Sequence, residues 1–371
     1  MKILIVATTM GLGGAEKQVT DLVEDFASKG HEVTIIALKD DFHFKHPNNV
    51  ELIRVNSKKN ILGLIKSIYT IVRTIRRIRP DIVHSHMATA NLICRAARIF
   101  TFKTPLICTA HSINEGGGKM RMAIYRLSDF LCNQTTNVSN EAVDKYVQTR
   151  AAPRHKIVPI YNGIDLSIFK KKHLQPSDIN GLSQYNSKGP IILNVARLVE
   201  AKDHDNLFHA FKIFKEKNDD SLLLIAGDGP LKVKLLELAS SLGISESVVM
   251  LGARFDIPDL MSISDLFVLS SEWEGFGLVL AEAMACELPV ISTDCGGTKE
   301  VVNDFGLTVA IKDPNALCSA MQKTLELSPS QLFTQKQSAK KSVESRFDIK
   351  TISNTWLALY KKHYQPHKTT I

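Results

Sequence analysis

The stretch KILIVATTMGLGGAEKQV, residues 2–19, runs from an apolar, strand-like segment through a glycine-rich turn into a segment of helical character. A dinucleotide-binding turn needs G-x-G-x-x-G at such a junction, each glycine serving the tight turn, the approach of the pyrophosphate or the packing of helix on strand. Here Gly11, Gly13 and Gly14 fall early, and Glu16 stands where the last glycine belongs. A turn this rich in glycine still frees backbone N–H groups for an anion at a helix N-terminus. A tight strand-to-helix turn without a ligand is the other reading, and the stretch alone leaves both open.

The same strand, turn and helix grammar repeats along the chain. KILIVATT, EVTIIAL, DIVHSH, LICTAH and QTTNVS read as strands whose ends carry glycine or polar residues, with helical stretches between them. Such alternation predicts an α/β fold with a parallel sheet covered on both faces. From residue 166 the pattern lapses into LSIFKKKHLQPSDINGLSQYNSKGP, a polar stretch with Pro, Gly and Lys that reads as a linker. It restarts with PIILNVAR, SLLLIAG, VVMLG, DLFVLSS, LPVISTD and GLTVAI. Two doubly wound domains are therefore expected, with ligands bound in a cleft at the carboxyl ends of their sheets.

Composition agrees with this organisation. A chain of 371 residues exceeds the usual reach of one hydrophobic core, and 44% apolar with 23% charged residues describes an ordinary globular protein. Cys94, Cys108, Cys132, Cys286, Cys295 and Cys318 lie far apart with no C-x-x-C spacing, which argues against a disulfide framework or zinc knuckle and for a reducing cytosol. The first strand begins at Lys2, which leaves no room for a signal peptide, and no apolar stretch approaches the ~20 residues that span a bilayer.

The net charge of +8 is unevenly spread: up to Asp165 there are 23 Lys and Arg against 14 Asp and Glu, while the remainder balances 23 against 24. Much of the excess lies between Lys58 and Arg79, where Ile61, Leu64, Ile65, Ile68, Ile71, Val72, Ile75 and Ile78 recur at helical spacing and Lys66, Arg73, Arg76, Arg77 and Arg79 fill other faces. A basic amphipathic helix suits an anionic membrane surface; a helix that packs its apolar stripe on a sheet has the same pattern. Nucleic acid is not expected, because Tyr69 is the only aromatic residue among these charges.

The most specific signal is SSEWEGFGLVLAEAMACELPVISTDCGG, in which Glu274 and Glu282 are separated by seven residues. A helix starting near Gly277 would offer free N–H groups to a phosphate, with Glu282 one to two turns further in. A carboxylate there can accept hydrogen bonds from both hydroxyls of a vicinal diol such as ribose. Upstream, VARLVEAKDHDNL places Arg197 and Lys202 just past a strand end, a suitable pair for a diphosphate, and AGDGP with Gly227 is a further glycine turn.

Taken in order, GLGGAE, TAHS, YNGID, VARLVEAKDHDNL, AGDGP, LGARFDIPDLM and EGFGLVLAEAMACELPVISTDCGGTKEVV resemble the retaining glycosyltransferases of family 4, which have the GT-B fold, over nearly the whole chain. The resemblance implies two Rossmann-like domains with an interdomain cleft: an acceptor-binding domain over 1–165, a linker over 166–188, a nucleotide-sugar domain over 189–346 and a helix over 347–371 that returns to the first domain. It implies a nucleotide-sugar donor, UDP favoured over GDP, with no metal and no further cofactor. Arg197 and Lys202 would hold the donor diphosphate, Glu282 the ribose hydroxyls and Glu274 the transferred sugar. Backbone groups around Phe276, Gly277 and Leu278 would add contacts, His111 would reach the sugar from the first domain, and Gly13 and Gly14 would lie beneath the phosphates. The acceptor implied is a polyprenyl-diphosphate-linked glycan of a bacterial surface polysaccharide such as O-antigen or capsule, met on the inner face of the cell membrane.

The chemistry suits these residue types. Breaking the bond from anomeric carbon to phosphate moves charge onto the diphosphate, which fixed cations and helix N–H groups stabilise. Retention without an identifiable nucleophile on the opposite face favours front-face attack, the leaving phosphate taking the acceptor proton. His84 and His86 lack a nearby ligand cluster for a metal, which leaves acceptor contacts or packing; Asp165 reads as structural. Glu287 and Lys299 stand where the family usually shows glycine and an apolar residue, in a stretch expected near the sugar. A non-hydrolysing sugar-nucleotide epimerase on the same fold and a nicotinamide-dependent dehydrogenase are the competing activities.

Overall fold

The structure, a computed structural model, describes residues 1–11, 13–39, 47, 49–113, 117–182 and 188–364. Leu12 of the opening turn, residues 114–116 of the loop after TAHS and residues 183–187 of the expected linker lie outside the described residues. The chain forms two compact units, Met1–Gly163 with Ile349–Ile371, and Ile164–Asp348.

Among the described residues the first unit holds strands β1 (Lys2–Ala7), β2 (Glu32–Ala37), β3 (Glu51–Arg54), β4 (Ile82–His86), β5 (Leu106–Ala110), β6 (Gln134–Asn137) and β7 (Ile157–Pro159). They form one parallel sheet in the order β3-β2-β1-β4-β5-β6-β7. Its helices are α1 (Gly14–Ser28), α2 (Ile61–Ile78), α3 (Ala88–Arg98), α4 (Gly118–Ser128) and α5 (Asn140–Gln148). The central strands are continuous apolar runs because helices cover both faces; in β1, Ile3 to Ala7 are wholly buried. The short edge strands β3 and β7 were not expected from the sequence pattern.

The second unit repeats the design. Strands β8 (Ile191–Val195), β9 (Leu222–Ala226), β10 (Val248–Gly252), β11 (Leu266–Leu269), β12 (Val290–Thr293) and β13 (Leu307–Val309) pair in parallel in the order β10-β9-β8-β11-β12-β13. Helices α6 (His204–Lys215), α7 (Lys232–Ser241), α8 (Ile257–Ile263), α9 (Leu278–Ala285), α10 (Thr298–Val302), α11 (Pro314–Leu325) and α12 (Pro329–Phe347) flank them. Both sheets reverse direction of growth beside their first strand, at β1/β4 and at β8/β11, and such switch points are where open α/β sheets bind ligands.

Helix α13 (Ile349–His363) belongs to the first unit, where Ile349, Ile352, Trp356 and Tyr360 join the core of β1, β2 and α1. Lys29 Nζ reaches Ser353 Oγ at 2.5 Å and Asn354 Oδ1 at 2.8 Å, which ties α1 to α13. Gly163 is small because a Cβ there would come within 2.8 Å of Ile349 Cα.

One expectation needs correction, and one left open is divided. The linker expected over 166–188 is, through residue 182, a strap on the second unit: Phe169, Ile179 and Leu182 are buried, Lys171 Nζ donates to Ser262 O at 2.7 Å, and Arg254 Nη1 donates to Asn180 O at 3.0 Å. Its polarity reflects one exposed side, not a free tether. The apolar stripe of α2 is also not uniform. Ile71, Val72 and Ile75 enter the core, but Ile61 and Leu62 are 75% exposed, and Ile65 and Tyr69 are exposed too.

Candidate active site

The loops after β8, β9, β11 and β12 build one site at the switch point of the second sheet. Residues 196–198 follow β8 and are clamped by the turn after β9: Ala196 N donates to Ala226 O at 3.0 Å and Leu198 N to Asp228 O at 3.0 Å. Only glycine permits this approach, since a Cβ on Gly227 would lie 1.9 Å from Ala196 O and one on Gly229 2.4 Å from Leu198 O. Gly227 thus shapes the backbone that carries the exposed Arg197.

Lys202 ends a 3-10 turn, Glu200–Lys202, and the following Asp203 accepts from Asn206 N at 3.3 Å to cap α6. The loop after β11 is stitched to this turn. Glu272 N donates to Ala201 O at 2.9 Å, and Ser270 Oγ donates to Lys202 O at 2.9 Å. Residues from two separate motifs therefore meet: Lys202 Nζ forms an ion pair with Glu274 Oε1, which also accepts from Ser271 Oγ at 2.9 Å. Both side chains are largely out of solvent, 18% and 12% exposed, so the pair is screened less than a surface one.

Gly296, which sequence reasoning did not single out, underlies this carboxylate. It has φ +59°, and a Cβ there would lie 1.9 Å from Glu274 O. The DCGG motif was the available signal, with its glycine spacing set by the strand-to-helix turn into α10.

Helix α9 follows directly. Gly277, at φ +82°, turns the chain into it; Phe276 is buried edge-on against Phe347 at 5.3 Å, and Leu278 is buried, so only backbone groups of this turn remain for a ligand. Glu282 lies in the second turn of α9 at 7% exposure. At its far end Glu287 takes φ +57°, the conformation in which glycine is free of strain. Its carboxylate accepts from Lys340 Nζ at 2.9 Å and Gln337 Nε2 at 3.0 Å, joins α9 to α12, and is held below the usual carboxylate range by Lys340. Lys299 pairs with Asp294 at 3.3 Å on the surface.

In the first unit, Gly13 is the N-cap of α1 in extended backbone, and a Cβ on it would meet Glu16 Oε2 at 2.5 Å; around Gly14 the space is open. The Glu16 carboxylate thus lies beside Gly13 at the start of α1. Histidines line the ends of β4 and β5. His84 Nδ1 contacts Tyr360 Oη at 2.5 Å, and its Nε2 contacts Thr109 Oγ1 at 2.6 Å. The His84 and His86 rings meet at a 42° tilt with centroids 3.9 Å apart, and His86 Nδ1 lies 3.0 Å from His111 Nε2. Burial pushes all three imidazoles below their usual range, His111 to about 4. Among the described residues no group of His, Cys, Asp or Glu is arranged to hold a metal ion.

Both halves match known families. Residues 12–168 match the model described as Glycosyltransferase Family 4, and residues 181–341 match that of Glycosyl transferases group 1. The chain is 29% identical over 320 residues to the N-acetyl-alpha-D-glucosaminyl L-malate synthase of Bacillus anthracis, covering 81% of this chain and 82% of that protein. It is 28% identical over 341 residues, 88% of this chain and 90% of the relative, to a Campylobacter jejuni enzyme, N-acetylgalactosamine-N,N'-diacetylbacillosaminyl-diphospho-undecaprenol 4-alpha-N-acetylgalactosaminyltransferase. Anabaena HepE in complex with UDP and glucose shares its fold, with a TM-score of 0.84 at 23% identity over 97% of this chain and 99% of that one. With both halves matched in order and two parallel sheets of this topology, the chain belongs to the GT-B glycosyltransferases of family 4.

Proposed function

We propose that the chain is a metal-independent, retaining transferase that moves a sugar from a UDP-sugar to a polyprenyl-diphosphate-linked glycan in bacterial surface polysaccharide synthesis. The observation that carries this reading is the Lys202–Glu274 pair at the β8/β11 switch point, a cation and a carboxylate held together by loops from two motifs. Arg197 and Lys202 bind the diphosphate and stabilise the charge it gains as the glycosidic bond breaks. Glu274, released from Lys202 by the phosphate, takes the sugar hydroxyls; Glu282 takes the ribose, and the 276–278 backbone at the start of α9 adds N–H donors. The family resemblance assigns Gly13, Gly14 and His111 to the donor as well. The undecaprenyl-diphosphate substrate in the name of the Campylobacter relative and the UDP in the HepE complex support this choice of acceptor and donor.

Thermal unfolding with UDP, GDP and NAD tests the donor. UDP at 100 times its dissociation constant is expected to add ~2.7 kcal/mol, several degrees, to the second unit. Glu282→Ala should remove the shift. A shift with NAD alone would move the reading to a dehydrogenase, and release of free UDP from a UDP-sugar without acceptor would move it to an epimerase.

The first unit supplies the route to a lipid-linked acceptor. Between Asn56 and Ser128 the only acidic residues are Asp81 and Glu115. No helix among the described residues is long and apolar enough to cross a membrane. The exposed Ile61, Leu62, Ile65 and Tyr69 of α2 instead form an apolar tip beside Lys58, Lys59 and Lys66, with Arg73 and Arg76 exposed further along and Arg77 paired with Glu51. This is the makeup of a helix that lies in the headgroup layer of an anionic bilayer. With ~1 kcal/mol per cation near such a surface, the triple variant Arg73→Glu, Arg76→Glu, Arg77→Glu is expected to lose binding to phosphatidylglycerol vesicles by about two orders of magnitude or more. UDP binding should not change; unchanged vesicle binding would remove the membrane from the proposal.

A further inference from the structure

We propose that the helical layer α2–α4 of the first unit lies flat on an anionic bilayer, with α4 and the loop after α3 as a second apolar contact beside the tip of α2. The partner rests on the membrane-linked acceptor proposed above, and the contact widens from one helix tip to a whole face.

The two faces of the first sheet are covered unequally. Side chains of β1 alternate between two cores: Ile3 and Ile5 pack with α1 and α13, Leu4 and Val6 with α2 and α3. Helix α4 continues the second layer, since Asn91 Nδ2 and Arg95 Nη1 of α3 donate to Tyr125 Oη at 2.9 Å and to Tyr125 O at 2.8 Å. Helices α2, α3 and α4 together carry nine Lys and Arg residues and no Asp or Glu, and of the nine only Arg95 is buried. On the opposite layer α1 has Glu16, Asp21, Glu24 and Asp25 against Lys17 alone.

Apolar exposure follows the same division. Among the described residues of the first unit, every exposed large apolar side chain except Tyr364 lies on α2, on α4 or in the segments that follow α3 and α4. Met120, Ile124 and Leu127 recur at i, i+4 and i+7 on α4, and Phe130 is exposed just past the helix end. The exposed Phe100 and Phe102 belong to the adjoining loop: Arg98 bonds Asn133 Oδ1, shortly after α4, through Nη1 and donates to Phe102 O at 3.4 Å through Nη2. Lys103, Lys119 and Arg126 are exposed among them.

Scattered apolar side chains on a surface need no account, but a grouped set does. Its basic surround selects a surface of negative charge, and a bilayer supplies both that charge and an apolar layer for the side chains to enter. Helices pack about 8–10 Å apart axis to axis, so α4 lies roughly 16–20 Å from α2 across α3. Two contacts at that separation fix the tilt of the sheet, which a single tip cannot, and leave the carboxyl ends of β4 and β5 at the edge of the contact, not beneath it.

The test uses the full chain with Leu127→Cys, Phe102→Cys or Thr355→Cys, each labelled with an environment-sensitive fluorophore; five of the six native cysteines are buried, and labelled wild type gives the blank for Cys295. With phosphatidylglycerol vesicles the probes in place of Leu127 and Phe102 should shift to the blue and be quenched by brominated acyl chains. The probe in place of Thr355, on α13 of the opposite layer, should do neither. Leu127→Glu should weaken vesicle binding about 10–100-fold, the effect of burying one leucine side chain, with melting temperature and UDP binding unchanged. Phe333→Glu, at an exposed residue of the second unit, is the control and should leave binding as it is. Wild type bound to the vesicles with the probes at both positions still in water would overturn the inference and leave the α2 contact standing, as would equal losses in Leu127→Glu and Phe333→Glu. A Leu127→Glu protein that binds vesicles as before but loses mass in light scattering would overturn it in favour of a second copy of the chain on this surface. Wild type that does not bind these vesicles at all would overturn the inference together with the membrane reading on which it rests.

Discussion

Lys202→Ala is expected to lower kcat by about 10²–10³, the ~2.7–4 kcal/mol that one preorganised electrostatic donor contributes at a developing charge. With no metal proposed, the diphosphate has only Arg197, Lys202 and backbone N–H groups to meet the charge it gains, so the loss is not buffered. Lys202→Arg keeps the charge but changes its reach and shape, and should recover only part of the rate. Stability should be affected less than rate. The variant leaves Glu274 with Ser271 Oγ as a partner, at a carboxylate that is still 12% exposed. Rates of UDP release from a UDP-sugar with a lipid-diphosphate-linked acceptor, read beside melting curves, separate the two effects. An unchanged kcat in a folded Lys202→Ala protein would show that the ion pair serves the fold and not the reaction.

The first unit is expected to lose stability steeply in mild acid. His84 and His86 are 0% and 1% exposed, and burial holds their pKa values well below 6.5; His111, nearer to solvent, is held at about 4. The native state keeps these rings neutral, whereas the unfolded chain takes up protons as the pH falls through ~6.5. Proton uptake by the unfolded state makes unfolding easier, so the stability these groups leave intact above pH 6.5 is lost below it, by about 1.4 kcal/mol per ring per pH unit. His84 and His86 lose stability in the same direction over this range, and native domains have only about 5–15 kcal/mol in all. Trp356 packs on His84 with ring centroids 4.4 Å apart, so its fluorescence reports on this unit. His86→Asn should flatten the dependence by about half. A first unit equally stable at pH 7.5 and pH 5 would contradict neutral burial of these rings.

The fold was legible where physics acts along the chain. Strands buried on both faces are apolar runs, as in the ILIVA of β1, and in the second unit β9 and β11 follow that rule throughout. The strands that escaped notice are edges: β3 has only four half-exposed residues, and β7 is three residues closed by Pro159. Helix α2 realises both readings its spacing left open, since Ile71, Val72 and Ile75 are buried while Ile61, Leu62 and Ile65 of its first turns are exposed. In the site, the charged residues announced themselves, and Lys202 and Glu274 do meet across 72 positions. What the sequence withheld was contact made by backbone or by distant packing. Gly296 matters through space that a Cβ would fill, and the link from His84 to Tyr360 spans 276 positions with no motif to mark it.

The placement of α13 gives synthesis and folding different orders. The second unit is one continuous segment, Ile164–Asp348, and has all its residues once that segment has emerged from the ribosome. The first unit begins earlier but cannot finish, since Ile352, Trp356 and Tyr360 of its core are made last. At translation rates of about 5–20 residues per second, the nascent first sheet waits on the order of ten to forty seconds with the α13 side of its core uncovered. The part of the enzyme made first is thus the part completed last.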